Sequence, residues 1–136
     1  MTTRKKVIAE RLKMINWFGN MHFAFDNLRD ESKVLRGIEI LQNTGFETKR
    51  VIFYVLTGYD TTFEEDLYRI NFLKEHDCAA FVMQYRPNKQ TRKLARYVNR
   101  RWLYWSIPFE EYNTKNLSKV TERRKIAKTQ AIIGGN

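Results

Sequence analysis

A single cysteine, Cys78, occurs in the 136 residues. That excludes an internal disulfide, and it excludes any zinc or iron–sulfur site whose thiolates must all come from one chain. Two histidines, His22 and His76, are too few for a histidine-built metal centre. No apolar run approaches the roughly 18 residues that a membrane-spanning helix needs. The opening MTTRKKVIAE has no apolar stretch of the signal-peptide kind. These absences lead to the expectation of a soluble, cytoplasmic protein with no membrane partner.

The residues that are present suit a folded chain. Nine Phe, seven Tyr and three Trp supply core material, and 43% of residues are hydrophobic. The net charge of +10 is unevenly placed. Residues 1–85 carry as many acidic as basic side chains, whereas the residues from Arg86 onward carry only Glu110, Glu111 and Glu122 against the remaining basic ones. The chain therefore reads as a neutral body with a basic end, and that end is the part suited to a polyanion such as nucleic acid.

Hydrophobic periodicity alternates between helix and strand. Ile8, Leu12 and Ile15 predict an amphipathic helix over 4–17. Met21 to Phe25 is a short strand candidate with Asp26-Asn27 at its exit. Asp30 is placed to cap a helix whose apolar face is Val34, Leu35, Ile38 and Leu41, and Gly45 follows its end. Val51 to Leu56 is an unbroken apolar run, the habit of a strand buried on both faces in a parallel sheet. Thr61 and Glu64 match a capping box for a third helix, with Phe63, Leu67, Ile70 and Leu73 as its stripe. Cys78 to Met83 is a third strand, closed by Pro87. Residues 89–105 read as a fourth helix mixing arginines and aromatics, and 113–136 as a basic, flexible tail.

Strands recurring about every 28–30 residues with a helix between them have the spacing of consecutive βαβ units. The fold expected is α/β, with three parallel βα units. Ligands of such sheets sit at the carboxyl ends of the strands. That rule selects Asp26-Asn27, Thr57 to Asp60, and Gln84 to Arg86.

The run Phe53-Tyr54-Val55-Leu56-Thr57-Gly58-Tyr59-Asp60-Thr61-Thr62-Phe63-Glu64-Glu65-Asp66-Leu67-Tyr68-Arg69 resembles a strand–loop–helix signature of radical S-adenosylmethionine enzymes. Upstream, Phe23 to Asp26, Lys33 to Ile38 and Gly45 resemble the preceding unit of that family. Downstream, Phe81 to Tyr85 and Ala95 to Arg101 resemble an Fe–S oxidoreductase subgroup. Taken over residues 1–112, the resemblance implies the C-terminal half of an incomplete, partial TIM-type barrel, comprising strands four, five and six.

Family members hold a [4Fe–4S] cluster through a Cys-x3-Cys-x2-Cys loop that this chain lacks. The resemblance therefore implies a fragment or split half that lends walls to S-adenosylmethionine and substrate, holds no cluster, and needs either the cluster-bearing N-terminal half or a second copy. By the same resemblance the cofactor-facing residues are Asp26, Leu56, Thr57, Gly58, Tyr85 and Arg86. Asp60, Thr61 and Thr62 stand where the family has proline, glycine and glutamate.

Two other readings follow from the residues alone. One is a non-enzymatic nucleic-acid-binding protein that uses Arg96, Arg100, Arg101 and Trp102 with Arg123, Arg124 and Lys125 of the tail. The other is an inactive fold remnant. The apolar run and the missing half also predict an open sheet face, to be covered by a partner chain or a second copy, or by the helix over 4–17 and the aromatic helix folding over it, the latter through Trp102 and Trp105.

Overall fold

A computed structural model of the chain describes residues 21–113 and residue 126. The helix expected over 4–17 and the tail residues Arg123, Arg124 and Lys125 lie outside the described residues. Within them, three strands, β1 (Met21–Ala24), β2 (Val51–Thr57) and β3 (Ala79–Gln84), form one open sheet in the order β1-β2-β3 with both pairings parallel. Four helices accompany them: α1 (Glu31–Asn43), α2 (Phe63–Glu75), α3 (Lys89–Val98) and α4 (Arg101–Ser106). The fold is therefore α/β with three parallel strands, as the spacing of the apolar runs predicts. Among the described residues no helix is long and apolar enough to cross a membrane.

The register separates the two sheet faces. Tyr54 pairs with Phe81, Val55 with Val82 and Leu56 with Met83. Paired residues of neighbouring strands point to the same side, so Phe53, Val55, Ala80 and Val82 share one face and Tyr54, Leu56, Phe81 and Met83 share the other. Sequence alternation alone places Phe81 with Phe53 and Val55; the register moves it to the opposite face. The first face is buried under Ile70 and Leu73 of α2 and Leu94 and Val98 of α3. On the second face Phe81 and Met83 remain 44% and 51% exposed. There His22 stacks on Tyr54 at 5.3 Å, and Tyr54 meets Phe81 edge-on at 5.9 Å. The aromatic helix does not cover this face.

Local chemistry explains three further differences from the sequence reading. The capping box of α2 is Thr62 with Glu65, one residue beyond the expected Thr61 with Glu64. The run Thr-Thr-Phe-Glu-Glu permits both registers, and Thr61 is drawn instead to Asp66. Asp30 occupies the N-cap of α1 but makes no side-chain cap bond; Asn27 accepts from the Arg29 amide at 3.0 Å and shapes that entry. The helix expected over 89–105 breaks at Asn99 and Arg100. The Asn99 side chain accepts from Val82 N at 2.8 Å and donates to Val82 O at 3.2 Å, so it pairs with β3 like a strand residue and blocks that edge.

Beyond the break, α4 packs at the amino end of the sheet. Tyr104 donates to Cys78 O at 2.7 Å, and Lys49 lies 5.5 Å from the Trp105 ring centre. Lys74 donates to Tyr97 Oη and Ile107 O, both at 2.8 Å, and ties the end of α2 to α3 and the segment after α4.

Burial has a consequence for alkaline stability. It pushes the Cys78 thiol up from 9.0 to about 12. It also raises the Tyr97 and Tyr104 phenols above their ordinary 10.0. Because all three groups are raised in the native state, their stabilisation is complete below the unfolded-state values and is lost as pH climbs through the folded ones. Lys74, lowered by desolvation, acts in the opposite sense only below 10.5. The urea midpoint is therefore expected to fall between pH 10.5 and about 12. Phenolate absorbance should grow in with unfolding, and a flat midpoint across that window contradicts the account.

Candidate functional site

The carboxyl edge of the sheet is organised by two charged residues that are fully buried. Asp66 and Arg69, on the first two turns of α2, are each 0% exposed and form an ion pair through Asp66 Oδ1 and Arg69 Nη2 at 2.5 Å. Arg69 also donates to Phe25 O at 2.5 Å and Leu56 O at 2.9 Å, carbonyls at the ends of β1 and β2. Asp66 accepts from Gly58 N at 3.2 Å and from the Thr61 hydroxyl. Arg69 Nε is buried without a hydrogen-bond partner among the described residues. A buried charge persists only when it is paired and its remaining donors and acceptors are largely occupied, and this pair meets that condition by collecting groups from two strands and the β2–α2 loop.

Neither residue is singled out by the sequence reading, in which both stand only within the run Phe53 to Arg69. The signal available was the spacing. Asp66 and Arg69 stand three apart and alongside the apolar stripe of Phe63, Leu67, Ile70 and Leu73, where charges must find each other.

The six residues selected by resemblance do converge on this edge. Asp26 accepts from Leu56 N at 3.0 Å, so the β1 exit is stitched to the end of β2. Thr57 is fully buried, and its hydroxyl approaches Met83 O at 3.4 Å. Tyr85 N donates to Thr57 O at 2.9 Å and carries the pairing of β2 and β3 one step past the strands. Gly58 adopts φ +74°, and a Cβ there would stand 2.9 Å from Tyr85 O. A glycine is required at this position by the close approach of the Tyr85 carbonyl together with the positive φ. Arg86 also has a positive φ, 48°, and its guanidinium lies 5.5 Å from the Tyr85 ring centre.

The groups left facing solvent define what the edge can do. Asp26 is exposed and uses one carboxylate oxygen on Leu56 N. Tyr59 and Tyr85 are exposed and meet edge-on at 5.0 Å. The Leu56 side chain is half-buried, with exposed Met83 beside it in register. The edge thus offers a carboxylate, an aromatic pair, an apolar strip and one guanidinium.

The donor chemistry does not suit an iron–sulfur cluster, because three thiolates are needed and the one cysteine is buried with its thiol held protonated. Among the described residues no group of three His, Cys, Asp or Glu is placed to hold a metal ion.

The residues chosen for nucleic acid divide differently. Arg96, Arg100 and Arg101 are exposed around the end of α3, whereas Trp102 is half-buried and packed against the core. No family model, curated protein or solved structure matches the chain. The class defined by the coordinates is an α/β domain with an open, three-stranded parallel sheet.

The buried pair yields a sharp expectation. Arg69→Met leaves the Asp66 carboxylate uncompensated and two strand-end carbonyls without their donor, and should cost about 3–5 kcal/mol. The double variant Asp66→Asn, Arg69→Met should recover part of that, with a coupling of about 0.5–3 kcal/mol. Urea unfolding of the four proteins in the cycle measures both quantities. A single variant losing less than about 1 kcal/mol, the range of an exposed pair, would show that the edge is held by other contacts.

Proposed function

We propose that this chain is one wall of a partial barrel of the radical S-adenosylmethionine type, a binding half that works beside a cluster-bearing half and performs no reaction alone. The observation that carries the reading is the arrangement of the sheet. Its parallel strands follow one another in sequence order, its helices α2 and α3 cover one face, and among the described residues no helix packs over the opposite, apolar face, where Phe81 and Met83 are exposed. A closed or nearly closed barrel turns such a face inward and fills it with side chains from its other strands. A doubly wound sheet would place helices on both sides instead.

S-adenosylmethionine fits the exposed groups of the carboxyl edge in kind. The free oxygen of Asp26 would accept from the ribose hydroxyls, and the strip made by Leu56 and Met83 beside Tyr85 would receive the adenine. The cofactor, when bound, supplies the reactive sulfonium. The residues of this chain would only position it and keep water from one side. Thr57 and Gly58, engaged by Met83 O and Asp66, would act by shaping the ledge.

Amide spectra recorded while S-adenosylhomocysteine is added test the reading with this chain alone. A half-wall is expected to bind weakly, with Kd of roughly millimolar order, equivalent to about −4 kcal/mol. Resonances of Asp26, Leu56 to Gly58, and Tyr85 should move. Asp26→Asn keeps an acceptor for Leu56 N but loses the charge, and should weaken binding about tenfold, within the range for a hydrogen bond to a charged group. An unchanged spectrum at several millimolar ligand, or shifts confined to α3, would overturn the reading.

A further inference from the structure

From Cys78 to Phe109 the chain contains no acidic residue, and every charge in that stretch is positive. The helix α3 lies at its centre. Lys89, Arg92, Lys93 and Arg96 recur at i, i+3, i+4 and i+7, which at about 100° per residue places them in one stripe about 100° wide. All four are exposed, while Leu94, Ala95, Tyr97 and Val98 on the other side of the same helix are buried in the core. Arg100 and Arg101, also exposed, follow directly after the break at Asn99. No carboxylate among the described residues pairs with any of these six cations.

Like charges one turn apart repel, by a few tenths of a kcal/mol per i,i+4 pair. A folded domain that keeps four of them in one exposed stripe, with none in a salt bridge to a described carboxylate and with Glu110 and Glu111 as acidic residues just beyond the Phe109 ring that Lys93 overlies, has a surface that a polyanion relieves. We infer that the outer face of α3, extended by Arg100 and Arg101, binds the phosphodiester backbone of nucleic acid. This surface is separate from the carboxyl edge described above and does not depend on the reading given to that edge.

Three observations favour phosphates of a nucleic acid over the other polyanions a cell offers. Four of the six cations are arginine, whose planar fork bonds phosphate through two parallel donors. The helix is held rigid, because its apolar side is locked under the sheet and its N-terminus is closed by a reciprocal cap between Asn88 and Thr91. A helix that binds membranes must free its apolar side for the acyl region, and here that side is occupied. Trp102 is half-buried against the core and packs there, so the contact is made by charge and is indifferent to sequence.

The test uses the full chain and a short, labelled single-stranded oligonucleotide of mixed sequence, with anisotropy followed as salt is raised. The wild-type protein should bind with a steep, linear fall of log affinity against log salt. The variant Arg92→Gln, Lys93→Gln, Arg96→Gln removes three contacts, so its slope should be shallower by about 2, at about 0.7 per phosphate contact on a single strand. At low salt its affinity should be at least about tenfold weaker, a conservative figure for three charge-assisted bonds.

The double variant Arg92→Lys, Arg96→Lys, which keeps the charge beside the native Lys93, should leave the slope unchanged. Glutamine is a good helix former, and thermal melting confirms that the variant is folded. Should the triple variant lose its fold, single substitutions carry the test, each lowering the slope by about 0.7. A triple variant with wild-type slope and affinity would assign any binding to residues outside α3 and overturn the proposal. So would salt-insensitive binding, equal displacement of the oligonucleotide by poly-glutamate, or binding to phosphatidylserine vesicles without binding to the oligonucleotide.

Discussion

The buried pair of Asp66 and Arg69 is the constraint from which the upper half of the molecule follows. A parallel sheet that ends in loops leaves strand-end carbonyls facing inward, and an unpaired buried carbonyl costs about as much as a lost hydrogen bond. Here one guanidinium serves Phe25 O and Leu56 O together, and so fixes the ends of β1 and β2 relative to each other. Burying that cation requires an anion, and Asp66 supplies it from the preceding turn of the same helix. The anion has acceptor capacity to spare, which Gly58 N and the Thr61 hydroxyl take up. Gly58 is thereby held against the Tyr85 carbonyl, and the end of β3 joins the same construction. Each step leaves a polar group that the next one satisfies, which is why the residues at the edge are interdependent.

That interdependence also explains what the sequence could and could not reveal. The strands were legible because an apolar run such as Val51 to Leu56 has no other low-energy place than a buried strand, and their ends fall within a residue or so of those predicted. The helices between them were legible from the period of Val34, Ile38 and Leu41, and of Ile70 and Leu73. The pairing register was not, because the assignment of Phe81 to a face depends on which residue of β2 stands beside it, a property of two segments at once. The cap of α2 was ambiguous by one residue, since Thr61 and Thr62 are both hydroxyl acceptors with an acid three places on. What decided it was Asp66, whose demand for the Thr61 hydroxyl is tertiary.

Asn99 illustrates the same limit at the other end of the sheet. In sequence it is one polar residue in a continuous helical pattern, and nothing local argues for a break there. In the fold its amide offers one donor and one acceptor at the spacing of a peptide group, and Val82 on the outer edge of β3 accepts it as a substitute neighbour. The helix stops so that a side chain can do the work of a strand, and the aromatic segment is redirected to the amino end of the sheet. This is the physical reason that Trp102 and Trp105 do not reach the open face.

The consequence is a domain with two unlike surfaces separated by its own core. On one side of the sheet Phe81, Met83 and the ring ladder of His22, Tyr54 and Phe81 meet solvent. On the other side lie α2, with exposed Glu64 and Glu75, and α3, whose exposed stripe carries positive charge alone. Apolar contact is favoured wherever surface is removed from water and is largely indifferent to salt, whereas the basic stripe loses its attraction for anions within about 10 Å at ordinary ionic strength. Occupation of one surface leaves the other accessible, because a layer of helix and sheet lies between them. Asp66 and Arg69 sit where the layers meet, at the carboxyl edge, and exposed Arg86 follows Tyr85 in the chain on the way to the start of α3. Ledge and stripe are thus neighbours along the chain, Arg86 standing three residues before Lys89, yet the ledge presents the edge-on rings of Tyr59 and Tyr85 and the stripe presents charge alone.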